Sequence, residues 1–224
     1  MTRMTRLTRY LALTALAVAL VAACTPLSPA PVAPPWVGDS PTHASSWAPT
    51  RRNTDGTPVK WEACQIRVAV NHGGDMAFWA DVTTALLSVE QASGVLFEFV
   101  GFTGHVPTLE QPVAIDSNSD VTIAQAASSE TNLFAASGLL SAAGVGTPYY
   151  RWAQPGHLRI GAGSVVIAPG VTNRVHVIEH EIGHVLGLAH TDNATQIMTS
   201  QAITAPGWGS GDRAGLQAVG GRTC

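Results

Sequence analysis

The sequence predicts one α+β domain that follows an N-terminal leader and a proline-rich linker. Two observations indicate this fold class. Short runs in which apolar and polar residues alternate are typical of strands, and two longer runs with apolar residues at three- and four-residue steps are typical of helices. The predicted strands and helices occupy about 165 residues after the linker, a length that suits one compact core.

The leader has the layout of a secretory signal peptide, which we assign to residues 1–23. Arg3, Arg6 and Arg9 precede an apolar run from Tyr10 to Ala23. As a helix this run would rise about 21 Å, which is less than the ~30 Å hydrocarbon core of a bilayer. The chain is therefore predicted to be exported, and the leader is not expected to span a membrane.

Cys24 ends the sequence Val21-Ala22-Ala23-Cys24, which resembles a bacterial lipobox. The resemblance implies that Cys24 is lipidated, becomes the mature N-terminus and anchors a lipoprotein to the membrane of the bacterial cell envelope. Ordinary cleavage at the same place is the alternative, because Val21 and Ala23 also suit a small-residue cleavage site. In that case the protein would be extracellular and without an anchor.

The chain has three cysteines, and an odd count in an exported protein needs an explanation. Lipidation of Cys24 provides one. Cys64 and Cys224 then remain as a pair that could form a disulfide in an oxidising compartment and tie the C-terminus to the start of the domain.

Residues 24–58 are predicted to be a lipidated N-terminus and a linker, with the folded domain covering residues 59–224. The linker contains eight prolines among serine, threonine, alanine and glycine, a composition that cannot bury a core. We expect a semi-extended tether that holds the domain away from the envelope. A pro-segment that blocks the site is the alternative interpretation.

The first predicted element of the domain is a half-buried strand at Trp61–Asn71, where apolar and polar residues alternate. A helix follows, because Asp75 is a good N-cap and apolar residues recur at helical spacing up to Ser93-Gly94. Three further strands are predicted at Leu96–Gly101, Val121–Ala126 and Leu158–Ala168.

A second long helix is predicted over Val175–Leu186, and it leads into the pattern HExxHxxGxxH. The specified positions are His180, Glu181, His184, Gly187 and His190. The first two histidines lie one helical turn apart, so both imidazoles point the same way. Gly187 can take the left-handed backbone conformation that ends a helix and returns His190 to the same place. Five specified positions match by chance on the order of once in 10,000 chains of this length.

Three imidazoles are a ligand set for one catalytic Zn²⁺, since they leave one tetrahedral position for water. We assign His180, His184 and His190 as the ligands. One residue along a helix rotates a side chain by about 100°, which puts the Glu181 carboxylate beside the metal. There it can take a proton from the water, as a general base.

The run HEIGHVLGLAH, with Met198 eight residues after His190, resembles the metzincin metallopeptidases and, among them, the matrixin-like group. The resemblance implies a zincin fold with a twisted mixed sheet, two long helices and a small C-terminal subdomain. It also implies a Met-turn at Met198 beneath the ligands and hydrolysis of peptide bonds in protein or peptide substrates. An edge strand that pairs with the substrate is placed at Gly146–Trp152, with an irregular surface loop as the alternative.

The chain departs from the matrixins in several places. Cys64 lies in WEACQIRV, not in a PRCG-type segment, so a cysteine switch is not supported. Thr199-Ser200 replaces the usual tyrosine and proline after the methionine. Ligand sets for structural Ca²⁺ or Zn²⁺ are not recognisable. His176 lies one turn before His180, and a surface or supporting role suits it better than metal binding.

The last predicted helix runs to Val219, with Ser210 or Asp212 as its cap.

Loss of the three leader arginines changes the formal charge from −3 to −6. The mature chain therefore has no excess of basic residues that would support binding to nucleic acid. We expect a monomer.

The alternative function is that of a non-catalytic zinc-binding surface lipoprotein, an adhesin or scaffold. A site that only binds zinc has no use for Glu181 beside an open metal position.

Overall fold

A five-stranded mixed sheet forms the centre of the fold. The computed structural model describes residues 46–63, 65–138 and 142–220. The sheet order is β2-β1-β3-β5-β4, with β4 antiparallel to β5 and all other neighbours parallel. The strands are β1 Gln65–Asn71, β2 Leu96–Phe102, β3 Val121–Gln125, β4 Gly144–Gln154 and β5 His157–Ile167.

Two long helices pack with the sheet around the largest of the apolar clusters in the described residues. The helices are α1 Met76–Ser93, the short α2 Leu133–Ala136, α3 Arg174–Leu186 and α4 Ser210–Val219. The core includes side chains from β1, α1, β3, β5, α3 and α4. The predicted α+β class with a mixed sheet and two long helices is confirmed.

The ends of α1 and the start of α3 are fixed by specific contacts. Asp75 caps α1 by accepting a hydrogen bond from Ala77 N at 2.8 Å, and Gly94 ends the helix with φ of 78°. Arg174 donates to Asp75 at 2.8 Å and to Asp81 at 2.6 Å. The guanidinium therefore joins the N-terminal halves of α1 and α3, and the two helices pack against each other.

The strand that the sequence placed at Gly146–Trp152 is part of β4, the edge strand of the sheet. The alternative of an irregular loop is wrong, because β4 pairs with β5 from Gly144 to Gln154. A short helix, α2, precedes it and was not predicted. Its four residues carry too little periodicity to be recognised in a sequence.

The end of the predicted linker is folded in the structure. Pro49 forms an antiparallel bridge with Leu188, Arg52 pairs with Pro58, and Ala48 and Asn53 are each only 7% exposed. The described fold thus includes residues 46–58, which precede the predicted start at Val59. Prolines are tolerated here because the residues on either side of Pro49 make the backbone hydrogen bonds.

The leader, residues 24–45 and all three cysteines lie outside the residues that the structure describes. The signal peptide, the lipidation of Cys24 and the Cys64–Cys224 disulfide therefore stay predictions. Within the described ranges, no helix combines the length and the apolar character needed to cross a bilayer.

Candidate metal centre

Three histidine side chains meet at the C-terminal half of α3. The Nε2 atoms of His180, His184 and His190 lie 3.0 Å from one another in all three pairs. His180 and His184 are one turn apart on α3, and Gly187 ends the helix with φ of 107°. Because a left-handed residue turns the chain back sharply, His190 returns to the two helical imidazoles.

Backbone carbonyls fix the protonation of the two helical imidazoles. His180 Nδ1 donates to Ile197 O at 2.7 Å, and His184 Nδ1 donates to Leu188 O at 2.8 Å. A carbonyl can only accept, so the proton of each neutral ring is on Nδ1 and the Nε2 lone pair faces the centre. This is the tautomer that binds a metal ion through Nε2.

Burial keeps both rings neutral. It lowers the pKa of His180 to about 4, with a smaller contribution from His190, and it lowers the pKa of His184 well below its usual value. The free base is the form that coordinates metal ions. At neutral pH the two rings are therefore ready to bind without first losing a proton.

The donor set fits one zinc ion. Ligand distances of ~2.0–2.1 Å at tetrahedral angles separate the donor atoms by about 3.3 Å, close to the 3.0 Å spacing of the three Nε2 atoms. Within the part of the chain that the structure describes, no other group of three His, Cys, Asp or Glu side chains is close enough to share an ion. Three protein ligands leave the fourth position to water or substrate.

Glu181 lies next to this centre and is only 7% exposed. Burial raises the pKa of Glu181 to about 8, and a hydrogen bond from the Gly146 backbone N–H to its carboxylate acts in the opposite direction. A nearby dication would also favour the ionised form. Burial therefore raises the proton affinity of the Glu181 carboxyl group, and a bound metal ion would lower it.

Two glycines of β4 allow α3 to approach the edge strand. A Cβ atom at Gly144 would lie 2.9 Å from Glu181 Cγ, and one at Gly146 would collide with the Glu181 backbone. Alternate residues of a strand face the same side, so Gly144 and Gly146 both face the helix. This role was not predicted, because the predicted edge strand began at Gly146 and did not include Gly144.

The burial of Glu181 predicts that the difference in stability between wild type and Glu181→Gln depends on pH. The pKa of about 8 in the metal-free fold lies above the ordinary 4.5, so this carboxyl stabilises the fold below pH 4.5 and the stabilisation is lost as pH rises toward 8. Glutamine has no such dependence. Between pH 4.5 and 7 we expect the unfolding free energy of metal-free Glu181→Gln to rise by about 3 kcal/mol relative to wild type.

Urea denaturation in EDTA at a series of pH values measures this difference. Other titrating groups are common to both proteins and cancel in the subtraction. A difference that does not change with pH would show that Glu181 is ionised in the fold throughout this range.

Met198 lies beneath α3 and is 2% exposed. A side chain at Gly183 would collide with the Met198 sulfur, so the helix and the methionine approach each other closely. Thr191 donates from its backbone to Met198 O at 2.8 Å, and Thr191 pairs with Thr199. Met198 thus packs against α3 at Gly183, between the two helical histidines, and its assignment as the Met-turn stays a prediction.

Asp212 of α4 supports the same turn from below. Its buried carboxylate accepts hydrogen bonds from Ile197 N at 2.6 Å, Met198 N at 3.2 Å and Gly209 N at 3.0 Å. The peptide group between Ile197 and Met198 therefore links Asp212 to His180, since its carbonyl accepts from His180 Nδ1.

Asp212 was predicted only as a possible helix cap. In the structure α4 begins at Ser210, and Gly209 is the N-cap. The Asp212 carboxylate reaches back to Gly209 N and, beyond the helix, to the turn that precedes it in the chain. That second contact lies between residues 15 positions apart, which no helix-start pattern reveals.

His176 is not part of the centre. His176 lies one turn before His180, and its Nδ1 is 2.7 Å from the buried carboxylate of Glu179. Asp192, two residues after His190, could from its sequence position either orient a histidine or form a turn with Asn193, and in the structure it is exposed. The neighbouring Asn193 makes the turn, with its side chain accepting from Thr195 N at 3.0 Å.

A cavity of about 440 Å³ opens beside the histidines. The titratable side chains among its described lining residues are the three histidines and Glu181. Its walls are otherwise neutral and largely apolar. Apolar wall residues include Leu133, Ala142, Ala143, Val177, Ala202 and Ile203.

Residues 107–206 match the family model of the matrixin peptidases. The matched range contains the three histidines, Glu181, Met198 and β4, and it confirms the resemblance that HEIGHVLGLAH indicated. The crystal structure of archaemetzincin from Methanopyrus kandleri is similar to this chain, with a TM-score of 0.45 and 14% identity over 69% of this chain and 95% of that chain. No curated protein matches the chain. The family and the three-histidine group together support one catalytic Zn²⁺.

Proposed function

We propose that the chain, which matches the matrixin family model over residues 107–206, is a zinc-dependent endopeptidase that hydrolyses bonds within protein or peptide substrates. The observation that carries the proposal is the cluster of three Nε2 atoms 3.0 Å apart on the wall of an open cavity, with Glu181 beside it. A purely structural zinc site is closed by a fourth protein ligand, whereas this group has three.

The residues of the site have distinct roles in this reaction. Zn²⁺, when bound by the three histidines, supplies Lewis-acid activation of water and of the scissile carbonyl. Glu181 removes a proton from the attacking water and returns it to the nitrogen of the leaving amine, first as general base and then as general acid. The Gly146 N–H holds the Glu181 carboxylate in place for both transfers.

The edge strand supports cleavage within a chain. β4 is the outermost strand of the sheet, and its residues from Gly144 to Thr147 line the cavity. An extended substrate can add to such an edge through backbone hydrogen bonds and continue beyond the site in both directions. An exopeptidase would instead need a group that captures a chain terminus.

The cavity supports a preference for neutral, apolar side chains. Leu133, Val177 and Ile203 contribute to its walls, and beyond the catalytic residues the described lining carries no charge. Burying a charged substrate side chain there without a partner would cost several kcal/mol. We therefore propose that substrates place an uncharged apolar side chain in this cavity.

Export and anchoring complete the proposal. The leader with three arginines and a short apolar run supports secretion, and Val21-Ala22-Ala23-Cys24 supports a lipid anchor at Cys24. Under this proposal the enzyme works at the bacterial cell surface or outside the cell, as a monomer. The finer assignment to a matrixin-like endopeptidase rests on the motif and on the family match.

Mass spectrometry of a peptide library after incubation with the zinc-loaded protein tests the proposed activity. We expect internal cleavages with apolar residues enriched at one position beside the cut, and complete inhibition by 1,10-phenanthroline. A library left intact by protein that binds one Zn²⁺ would contradict the endopeptidase and favour the non-catalytic zinc-binding lipoprotein. Cleavages confined to chain ends would indicate an exopeptidase.

A further inference from the structure

Residues 46–52, which we call the N-terminal arm, lie against the turn that connects α3 to the third ligand. Thr50 N donates to Gly187 O at 2.7 Å, and Ala189 N donates to Ala48 O at 2.8 Å. These two bonds flank the antiparallel bridge between Pro49 and Leu188. The arm thus forms a short ladder with the turn.

The hydrogen bonds of this turn divide between α3 and the arm. Gly187 N and Leu188 N donate to carbonyls of α3, both at 2.9 Å. Ala189 N, the next donor along the chain, bonds to the arm instead, and Ala189 directly precedes His190. The peptide between Leu188 and Ala189, one residue before the third ligand, is therefore held by the arm and not by the helix.

The start of the arm packs against helix α4. A Cβ atom at Gly211 would collide with Ser46 O, and one at Gly215 would lie 3.1 Å from Trp47 Cβ. The two glycines are one turn apart, so they form a groove along one side of the helix. Any larger residue at Gly211 would displace the arm.

The edge strand holds the other end of the arm. Thr50 Oγ1 lies 2.9 Å from the hydroxyl of Tyr150, a fully buried residue of β4. The guanidinium of Arg51 lies over the Tyr150 ring at 5.3 Å. Between α4 and β4, the arm crosses the turn before His190.

We propose that the N-terminal arm is a positioning segment for the metal centre and that His190 binds fully only when the arm is seated. The inference rests on the proposed zinc site. His180 and His184 lie on α3, whereas His190 follows a glycine turn in which Ala189 N donates to the arm. Loss of the arm contact should therefore loosen His190 most, with a smaller effect on His184, whose Nδ1 donates to Leu188 O in the same turn.

Thr50→Pro in the full chain tests the proposal. The substitution removes the N–H that donates to Gly187 O, while a following proline keeps Pro49 in the extended conformation. We expect affinity for Zn²⁺, measured against a competing chelator, to fall by about tenfold, the size typical for loss of a supporting contact. The visible absorption of the Co²⁺-loaded variant should shift toward that of His190→Ala. Thr50→Val, which keeps the N–H, should stay within about threefold of wild type.

Gly211→Ala provides a second test that does not alter the arm itself. Alanine normally favours a helix over glycine, so α4 should persist, but the added Cβ displaces Ser46. We expect weaker Zn²⁺ binding and the same Co²⁺ spectral shift. Gln217→Ala, on an exposed position of the same helix, is the matched control and should bind like wild type.

Wild-type Zn²⁺ affinity and an unchanged Co²⁺ spectrum in Gly211→Ala would overturn the proposal, whether or not Thr50→Pro folds. The same result in a folded Thr50→Pro would also overturn it. Absence of peptide cleavage by wild type would contradict the proposed enzyme but not this inference, because the readouts are metal affinity and ligand geometry.

Discussion

Replacing Glu181 with glutamine is expected to lower the rate of peptide hydrolysis by about 10²–10⁴-fold while Zn²⁺ stays bound. Glutamine keeps the size of the side chain and can still contact Gly146, but its amide cannot take a proton from water. The three Nε2 donors are unchanged, so zinc affinity should stay close to that of wild type. The measurement is kcat/KM on a peptide cleaved by wild type, together with zinc stoichiometry.

Glu98→Gln is the control for this variant, because Glu98 is an exposed glutamate on the opposite edge strand, β2. It should hydrolyse the peptide at the wild-type rate. If Glu181→Gln kept more than about a tenth of the wild-type rate with zinc bound, Glu181 would not be the base. Loss of zinc along with the rate would mean that Glu181 has a role in metal binding.

Replacing His190 with alanine is expected to weaken Zn²⁺ binding by at least about 100-fold. Zinc sites with four protein ligands bind with about 10–16 kcal/mol, so each ligand contributes roughly 3 kcal/mol. The 3.0 Å contacts from His190 Nε2 to the other two imidazoles show that removing it leaves a two-ligand site. Competition with a chelator of known affinity measures the change.

His176→Ala is the matched control. It removes another histidine that lies near α3's metal-binding turn but pairs with Glu179. Zinc affinity should remain near the wild-type value. Equal losses in the two variants would contradict the assignment of His190 as the third ligand.

The centre could be predicted from the sequence because its geometry is local. Helical spacing alone brings His180 and His184 together, and one left-handed glycine suffices to return His190. The caps of α1 were predictable for the same reason, since Asp75 and Gly94 act within one turn of the helix end. Local rules fix these features whatever packs around them.

The supporting parts of the site depend on contacts between distant segments. Residues 46–58 have the composition of a linker, but their partners lie in distant segments. Gly187, Ala189 and the α4 glycines are more than 130 residues away, and Tyr150 is 100 residues away. Asp212 is similar, because its partners at Ile197 and Met198 lie in another segment. Such pairings leave no periodic signal in a sequence.

The first strand shows the same limit at its boundary. The prediction began it at Trp61, whereas β1 begins at Gln65. Trp61 instead pairs with Ile160 and donates its indole N–H to Val185 O at 2.9 Å, which connects the chain before β1 to the end of α3. A half-buried aromatic residue in an extended segment was therefore predicted as part of a strand, although it makes its contacts with distant parts of the chain.

X-ray absorption spectroscopy of the zinc-loaded wild-type protein decides whether the three histidines share one Zn²⁺, because it counts the ligands of the ion and identifies imidazole. We expect one Zn²⁺ per chain with three imidazole nitrogens at ~2.0–2.1 Å and one oxygen from water. A sulfur or a fourth protein nitrogen in place of the oxygen, or fewer than three imidazoles, would contradict it.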